Sequence, residues 1–200
     1  MRTILFLLSL LVVAPSAFAA RTILVMGDSL SAGYGIRPQQ AWPSLMQERL
    51  RELHLDYSVA NLSISGETSA GGRSRFAAAL KEHQPAVVVL ALGANDGLRG
   101  LPLQQMENNL TAMIAAAKKA GARVLVAGMR LPPNYGPYAE QFFRRFGEVA
   151  KAEKTAYLPF LLEPVATRPE LFQADRLHPT AEAQPLLLDH LWPALRPLLR

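Results

Sequence analysis

The stretch Val87-Val88-Val89-Leu90-Ala91-Leu92 is followed directly by Gly93-Ala94-Asn95-Asp96. A continuous apolar run of this length, rich in β-branched residues, is typical of a central parallel strand that is buried on both faces. The polar residues after it lie where open parallel sheets bind ligands, beyond the carboxyl ends of the strands. This stretch therefore predicts an α/β fold with a candidate site at one edge of the sheet.

Short β-rich runs and longer amphipathic stretches alternate on both sides of this strand. They predict a flavodoxin-like three-layer α/β/α sandwich around a five-stranded parallel sheet. The predicted strands cover residues 22–26, 57–62, 86–92, 123–127 and 156–158. The predicted helices cover residues 42–53, 70–82, 103–120 and 138–154, with a last helix from about residue 181.

The amino terminus has the order of a secretory signal peptide: Arg2, an apolar run over residues 4–14, and a small-x-small site that ends at Ala19. The run is shorter than the roughly 20 residues that a membrane-spanning helix needs. A buried first strand or helix is the less favoured alternative. We expect residues 1–19 to be removed and residues 20–200 to form a single domain, in the periplasm or outside the cell.

The amino-acid composition limits which nucleophile and which binding partners are expected. The chain has no cysteine, so it forms no disulfide and the nucleophile is not a thiol. The formal net charge is +5, but the basic residues are scattered in short pairs such as Lys118 and Lys119, which predicts solvated helix faces and no nucleic-acid site. A weak attraction to anionic lipid headgroups, and with it a transient membrane-surface contact, stays open. A monomer is the default expectation.

Two distant segments carry candidate groups for nucleophilic catalysis. Ser29 follows a predicted strand and Gly27, in a turn that exposes its hydroxyl and brings backbone N–H groups near it. His178 is the candidate base, because Pro179 disfavours helical backbone there and leaves the imidazole on an extended loop. Asp175 is placed to hold the histidine tautomer whose free nitrogen faces the serine. Taken alone, either segment is more typical of a capped turn or a packed residue.

Two further loops offer donors for a developing oxyanion. Gly66 brings its backbone N–H close because it has no side chain, and Asn95 adds a side-chain amide. Taken alone, each is more typical of an ordinary turn. The other histidines are poorer candidates for the base, because their neighbours predict solvated or packed helical positions; they are His54, His83 and His190.

These loops resemble the sequence blocks of the GDSL, or SGNH, hydrolase family, and they occur in the family's order. Residues 27–35, 65–68, 93–96 and 175–179 resemble its Ser, Gly, Asn and His blocks. Residues 27–34, 41–43, 95–100 and 130–132 are similar to bacterial periplasmic members of the family. Glu67 and Ala94 stand where we expect Asp and Gly, and neither change removes a catalytic group.

The resemblance implies a role for each site residue and a fold of the SGNH hydrolase type. It implies Ser29 as nucleophile with Asp175 and His178 as its partners. It also implies an oxyanion hole made by the backbone N–H groups of Ser29 and Gly66 and by the Asn95 side chain.

The expected activity is hydrolysis of acyl esters through an acyl-enzyme on Ser29, with no metal and no organic cofactor. Lysophospholipids and other medium to long acyl esters are the favoured substrates, with acyl thioesters and small aryl esters as accessible ones. One alternative keeps the site but removes acetyl groups from carbohydrate or peptidoglycan. The other is a periplasmic module that binds a lipid or an anion without turnover. Phe142, Phe143 and Phe146 have a spacing that favours helix packing over an acyl groove.

Overall fold

The computed structural model describes residues 20–199, which contain a five-stranded sheet whose strands all run parallel. The order across the sheet is β2-β1-β3-β4-β5. The predicted fold class and strand number are confirmed, and each predicted strand agrees with the structure to within one residue at either end. The predicted signal peptide, residues 1–19, lies outside the described residues. The strands are β1 (Arg21–Gly27), β2 (Tyr57–Asn61), β3 (Val87–Ala91), β4 (Arg123–Ala127) and β5 (Ala156–Leu158).

Seven helices are found within residues 20–199, and none of them is long and apolar enough to cross a membrane. Two short ones, α1 and α4, lie in stretches that the sequence predicts as loops. The last helix begins at Gln184, three residues later than predicted, because Pro185 suits the first turn of a helix. The helices are α1 (Ser29–Ala32), α2 (Trp42–Glu52), α3 (Ser69–His83), α4 (Ala94–Leu98), α5 (Leu103–Lys119), α6 (Pro137–Ala152) and α7 (Gln184–Leu195).

Both faces of the sheet are buried at β1, β3 and β4, which explains the continuous apolar runs in these strands. Successive side chains of a strand point to opposite faces, so Ile23 and Val25 pack on one side while Leu24 and Met26 pack on the other. Residues of α2 and α7 cover the first side, and residues of α3, α5 and α6 cover the second. The sheet is therefore the middle layer of three, with helices on both of its faces.

The candidate residues meet at the point where the chain reverses direction across the sheet. From β1 the chain goes to β2 on one side and then to β3 on the other, so the loops after β1 and β3 diverge and leave a crevice. Gly27 lies opposite Ala91 at the ends of these two neighbouring strands. The first and third predicted blocks therefore begin side by side.

Candidate active site

The serine lies at the first residue of the short helix α1, directly after β1. Asp28 caps this helix, because its Oδ1 accepts the backbone N–H of Leu30 at 3.0 Å. Gly33 ends the helix with a φ of +77°, a conformation that favours glycine. Leu30 is buried and anchors the turn in the core, so the Ser29 hydroxyl is held over the crevice.

A series of two hydrogen bonds joins the serine to the carboxyl-terminal segment. The Oγ of Ser29 lies 2.9 Å from Nε2 of His178, and Nδ1 of His178 lies 2.7 Å from Oδ2 of Asp175. Because a carboxylate only accepts hydrogen bonds, the imidazole proton belongs on Nδ1. Nε2 is then free to accept the serine proton, which is the arrangement that a general base requires.

The aspartate is fixed by its own loop. Its Oδ1 accepts the backbone N–H groups of Leu177 at 2.9 Å and of His178 at 3.0 Å. These hydrogen bonds, first that of the His178 backbone and next that of its side chain, lower the pKa of Asp175 to about 2. The carboxyl group is therefore ionised at neutral pH, as a partner for imidazolium must be.

The histidine lies in a bend outside α7, directly before Pro179. Residues Phe172 and Pro179 form an isolated antiparallel bridge on either side of the loop. The Gln173 amide donates to the carbonyls of Tyr34 at 2.7 Å and Pro179 at 3.1 Å, which ties this loop to the one after α1. The Tyr34 ring also packs on the imidazole of His178, with ring centroids 4.4 Å apart.

The two candidate oxyanion donors lie on the other side of the serine. Gly66 has a φ of +80°, and its carbonyl accepts from Nη2 of Arg99 at 2.8 Å. Asn95 lies in α4, and its Nδ2 donates to the carbonyl of Glu67 at 3.0 Å. The same Nδ2 lies 3.4 Å from Oδ2 of Asp28. The amide is thus fixed beside both the Gly66 loop and the turn that carries the serine.

A buried polar chain holds these two loops together. The Asp96 carboxylate accepts the backbone N–H of Ser69 at 2.8 Å and its hydroxyl at 2.6 Å. Asn109 donates to that hydroxyl at 3.0 Å, and Arg73 donates to Asn109 at 3.1 Å. Because Asp96 follows Asn95 and Ser69 lies three residues after Gly66, the chain fixes the separation of the two donors. The sequence prediction missed all four of these residues.

A largely apolar cavity of about 930 Å³ opens beside the serine and histidine. Its wall comes mainly from the segment after β4, from α6 and from the loops before α7. Phe142 and Phe146 are fully buried and pack edge to face, so the prediction that they pack in the core is confirmed. For Phe143 that prediction is wrong, because its ring lines the cavity and carries the Arg130 guanidinium 3.9 Å above it.

None of the other three histidines lines this cavity. His190 approaches the carbonyl of Phe160 at 3.0 Å, and His54 and His83 lie at the ends of α2 and α3. Among residues 20–199, no three His, Asp or Glu side chains cluster in a way that could hold a metal ion.

A serine, a histidine and an aspartate hydrogen-bonded in series at the switch point of a parallel sheet define the class of the protein, a serine hydrolase. The chain belongs to the GDSL-like lipase/acylhydrolase family, which it matches over residues 25–185. The predicted family is thus confirmed, and so is hydrolysis of small-molecule acyl esters by a serine enzyme.

Similar proteins align with nearly the whole length of this chain. The chain is 51% identical to "Esterase TesA" of Pseudomonas aeruginosa, over 94% of each chain. It is 43% identical to "Thioesterase 1/protease 1/lysophospholipase L1" of Escherichia coli K12, over 92% of this chain and 87% of the relative. A crystal structure of TesA superposes with a TM-score of 0.87 at 52% identity, covering 90% of this chain and 100% of the other.

Proposed function

We propose that Ser29 is the nucleophile of this enzyme, that His178 is its general base and that Asp175 orients His178. The observation that carries the proposal is the hydrogen-bonded series of these three side chains at the opening of an apolar cavity. Three side chains from two segments separated by about 150 residues meet with short contacts there. A simple turn cap has no need of such contacts.

The proposed reaction has two steps. His178 Nε2 takes the Ser29 proton as Oγ forms a bond to the acyl carbon, and the tetrahedral intermediate then expels an alcohol or thiol that leaves with that proton. In the second step His178 takes a proton from water, whose oxygen attacks the acyl-enzyme. The carbon–Oγ bond breaks, and the proton returns to Ser29 as the acid leaves.

The oxyanion hole is the second part of the proposal. The backbone N–H groups of Ser29 and Gly66 and the Asn95 amide would donate to the oxyanion. Asn95 Nδ2 makes two contacts, and the one to Asp28 is the longer at 3.4 Å. The N–H that points to Asp28 is therefore the one that can more readily donate to the oxyanion instead. The buried Asp96–Ser69 contact supports this role because it keeps the Gly66 and Asn95 loops at a fixed separation.

The proposed substrates are lysophospholipids and other medium to long acyl esters, with acyl thioesters and small aryl esters as accessible ones. A cavity of about 930 Å³ is near the upper end of the range for small-molecule sites, and an acetyl group would fill little of it. The apolar wall favours an acyl chain over a sugar. The relative named for thioesterase and lysophospholipase activity, at 43% identity, points to the same chemistry.

We further propose that residues 1–19 are a signal peptide, that the mature protein is a periplasmic monomer of one domain, and that it contacts membrane surfaces transiently. The order of charge, apolar run and small residues supports export. Fractionation with amino-terminal sequencing tests export, since the periplasmic product should begin at Ala20. Light scattering tests the monomer.

The activity experiment compares chromogenic acyl esters of rising chain length with a lysophospholipid and with sugar acetates. Ser29→Ala and His178→Ala should each lower kcat by about 10³-fold or more, because each removes a group that acts on the reacting atoms. Ser74→Ala and His83→Ala are the matched controls, since Ser74 bonds the carbonyl of Gly71 within α3 and His83 lies at the end of α3 beside Glu82, and neither residue lines the cavity. Both controls should retain wild-type kcat.

Each result has a distinct meaning. Strong preference for sugar acetates would overturn the substrate assignment and leave the site intact. A folded wild-type protein that turns over none of these esters and forms no phosphonate adduct on Ser29 by mass spectrometry would instead be a binding protein.

A further inference from the structure

The opening of the cavity is surrounded by exposed apolar side chains. Among residues 20–199, four large hydrophobic side chains are exposed, and three of them belong to the loops of this opening: Tyr34 at 52%, Ile64 at 49% and Leu177 at 40%. Tyr34 and Leu177 line the cavity itself, and Ile64 directly precedes two lining residues. The fourth, Leu53, follows α2 at the opposite edge of the sheet. Such clustering marks an interaction site, because single exposed hydrophobic residues are ordinarily scattered.

Three arginines accompany these side chains. Arg130 and Arg176 line the cavity, and Arg99 donates to the carbonyl of Gly66, another lining residue. Within the described part of the chain, none of the three forms an ion pair with a carboxylate, whereas arginines elsewhere do, such as Arg49 with Asp189.

Carboxylates at the same opening are few. Asp175 bonds His178 through one oxygen and backbone N–H groups through the other. Two carboxylates line the cavity itself, namely Asp28, which is buried, and Glu140, which is exposed. Among the exposed groups at the opening, three guanidinium groups face two carboxylates, Asp175 and Glu140, which leaves an excess of one positive charge.

The backbone at one point of the opening is also unusual. Arg176 has a φ of +56°. The other non-glycine residues with positive φ, among those described, lie one or two residues after the ends of helices; they are His54, Gln84 and Lys154. A left-handed conformation costs free energy for a residue with a side chain, and such strain tends to persist at functional sites. Here it lies at the tip that presents Arg176 and Leu177.

We propose that this rim, made of Tyr34, Ile64, Leu177, Arg99, Arg130 and Arg176, docks the opening of the cavity onto an anionic lipid surface. The proposal rests on the proposed function, in which the cavity receives the acyl chain, and it assigns the proposed membrane contact to particular residues and to an anionic surface. Apolar side chains enter the boundary between headgroups and acyl chains, and the cations attract anionic headgroups. Docked in this way, an acyl chain passes from the lipid layer into the cavity without exposure to water.

The first experiment needs only Ser29→Ala, which binds lipid without turnover. The purified protein is sedimented with vesicles of phosphatidylcholine alone and with vesicles of phosphatidylcholine mixed with phosphatidylglycerol. We expect partition onto the mixed vesicles, weaker partition onto phosphatidylcholine alone, and weakening by added salt, because salt screens exposed charges. If Ser29→Ala does not bind the mixed vesicles, the proposal is wrong, and no further variant is needed to show it.

The second experiment locates the surface with two variants of equal charge. Substitution of Arg99, Arg130 and Arg176 by Gln should lower partition by roughly 100-fold, since each basic residue near an anionic surface contributes about fivefold. The matched control removes three cations at the opposite edge of the sheet, Arg51, Lys81 and Lys119, again by Gln. These residues are exposed in the last turns of α2, α3 and α5. An equal loss in both variants would mean that only the net charge matters, which contradicts the rim.

A second pair of variants tests the exposed apolar side chains of the rim. Ile64→Ser should weaken binding to the mixed vesicles, whereas Leu53→Ser, with nearly the same exposure of 47%, should not. A different result would be that the protein does not bind vesicles and that light scattering shows self-association, which Ile64→Ser abolishes. The rim would then be a contact between copies of this chain, and the proposal would be wrong. A wild-type enzyme that binds vesicles but hydrolyses no ester would refute the proposed function and leave the docking surface standing.

Discussion

Two carboxylates flank the serine and histidine, and they lie in opposite environments. Asp28 precedes the serine and is 1% exposed, and burial, with the nearby charges of Asp96 and Glu67, raises its pKa to about 7. The Asp175 side chain is 40% exposed, and N–H groups of its loop lower its pKa to about 2. Proximity to the serine therefore does not by itself give a carboxylate its role. A carboxylate that must stay ionised beside imidazolium needs hydrogen-bond donors, which its loop and His178 give to Asp175.

The largest expected effect is on catalysis, through Asp175→Asn. The new amide presents an N–H to Nδ1 of His178, so the imidazole proton moves to Nε2 and the Ser29 proton has no acceptor. We expect kcat for ester hydrolysis to fall roughly 10³- to 10⁴-fold. Asp189→Asn is the control, because this exposed aspartate also bonds a basic partner, Arg49, but far from the cavity. A loss of less than about tenfold would show that Asp175 does not set the tautomer.

The next effect is on stability, through Asp28→Asn. The native carboxyl has a pKa of about 7 against 3.8 for the unfolded chain, so between these values the native state binds the extra proton. Wild-type stability therefore falls as pH rises from about 4 to 7 and stays low above it. Asn keeps an acceptor for Leu30 N–H and does not titrate.

The gain in free energy of unfolding from Asp28→Asn should therefore be larger at pH 8 than at pH 4. The expected difference is on the order of 4 kcal/mol, measured by urea unfolding at both pH values. The exposed Asp56→Asn is the control and should show no such pH dependence. An equal effect of Asp28→Asn at the two pH values would mean that ionised Asp28 is buried without penalty.

The smallest effect is the acid counterpart at Asp175. Its lowered pKa contributes stability that is present above 3.8 and is lost as pH falls towards 2. The loss should be less than about 1 kcal/mol, because solvent screens an exposed side chain. Urea unfolding of wild type and Asp175→Asn between pH 4 and pH 2 measures it. A larger loss of stability in the wild type would mean that the loop shields Asp175 from water. The environments of Asp175 and Asp28 would then differ less than their exposures indicate.

The sequence predicts the sheet well because its strands are buried on both faces. Val87–Ala91 has an apolar side chain at every position, which leaves little choice but a central strand. Short helices are different. The four residues of α1 and the five of α4 are too few to show a helical period, and their caps at Asp28 and Gly93 resemble those of turns.

The sequence by itself determined the family, the order of the strands along the chain and the residues that end at the carboxyl edge of the sheet, Ser29, Gly66 and Asn95 among them. These follow from local patterns, namely apolar runs, glycine positions and the Asp175–His178 spacing. Only the tertiary structure decided which aspartate is buried and which exposed, where Phe143 points, and that Arg99, Arg130 and Arg176 share one opening. Burial and electrostatic environment are sums over neighbours from distant parts of the chain, so no local pattern contains them.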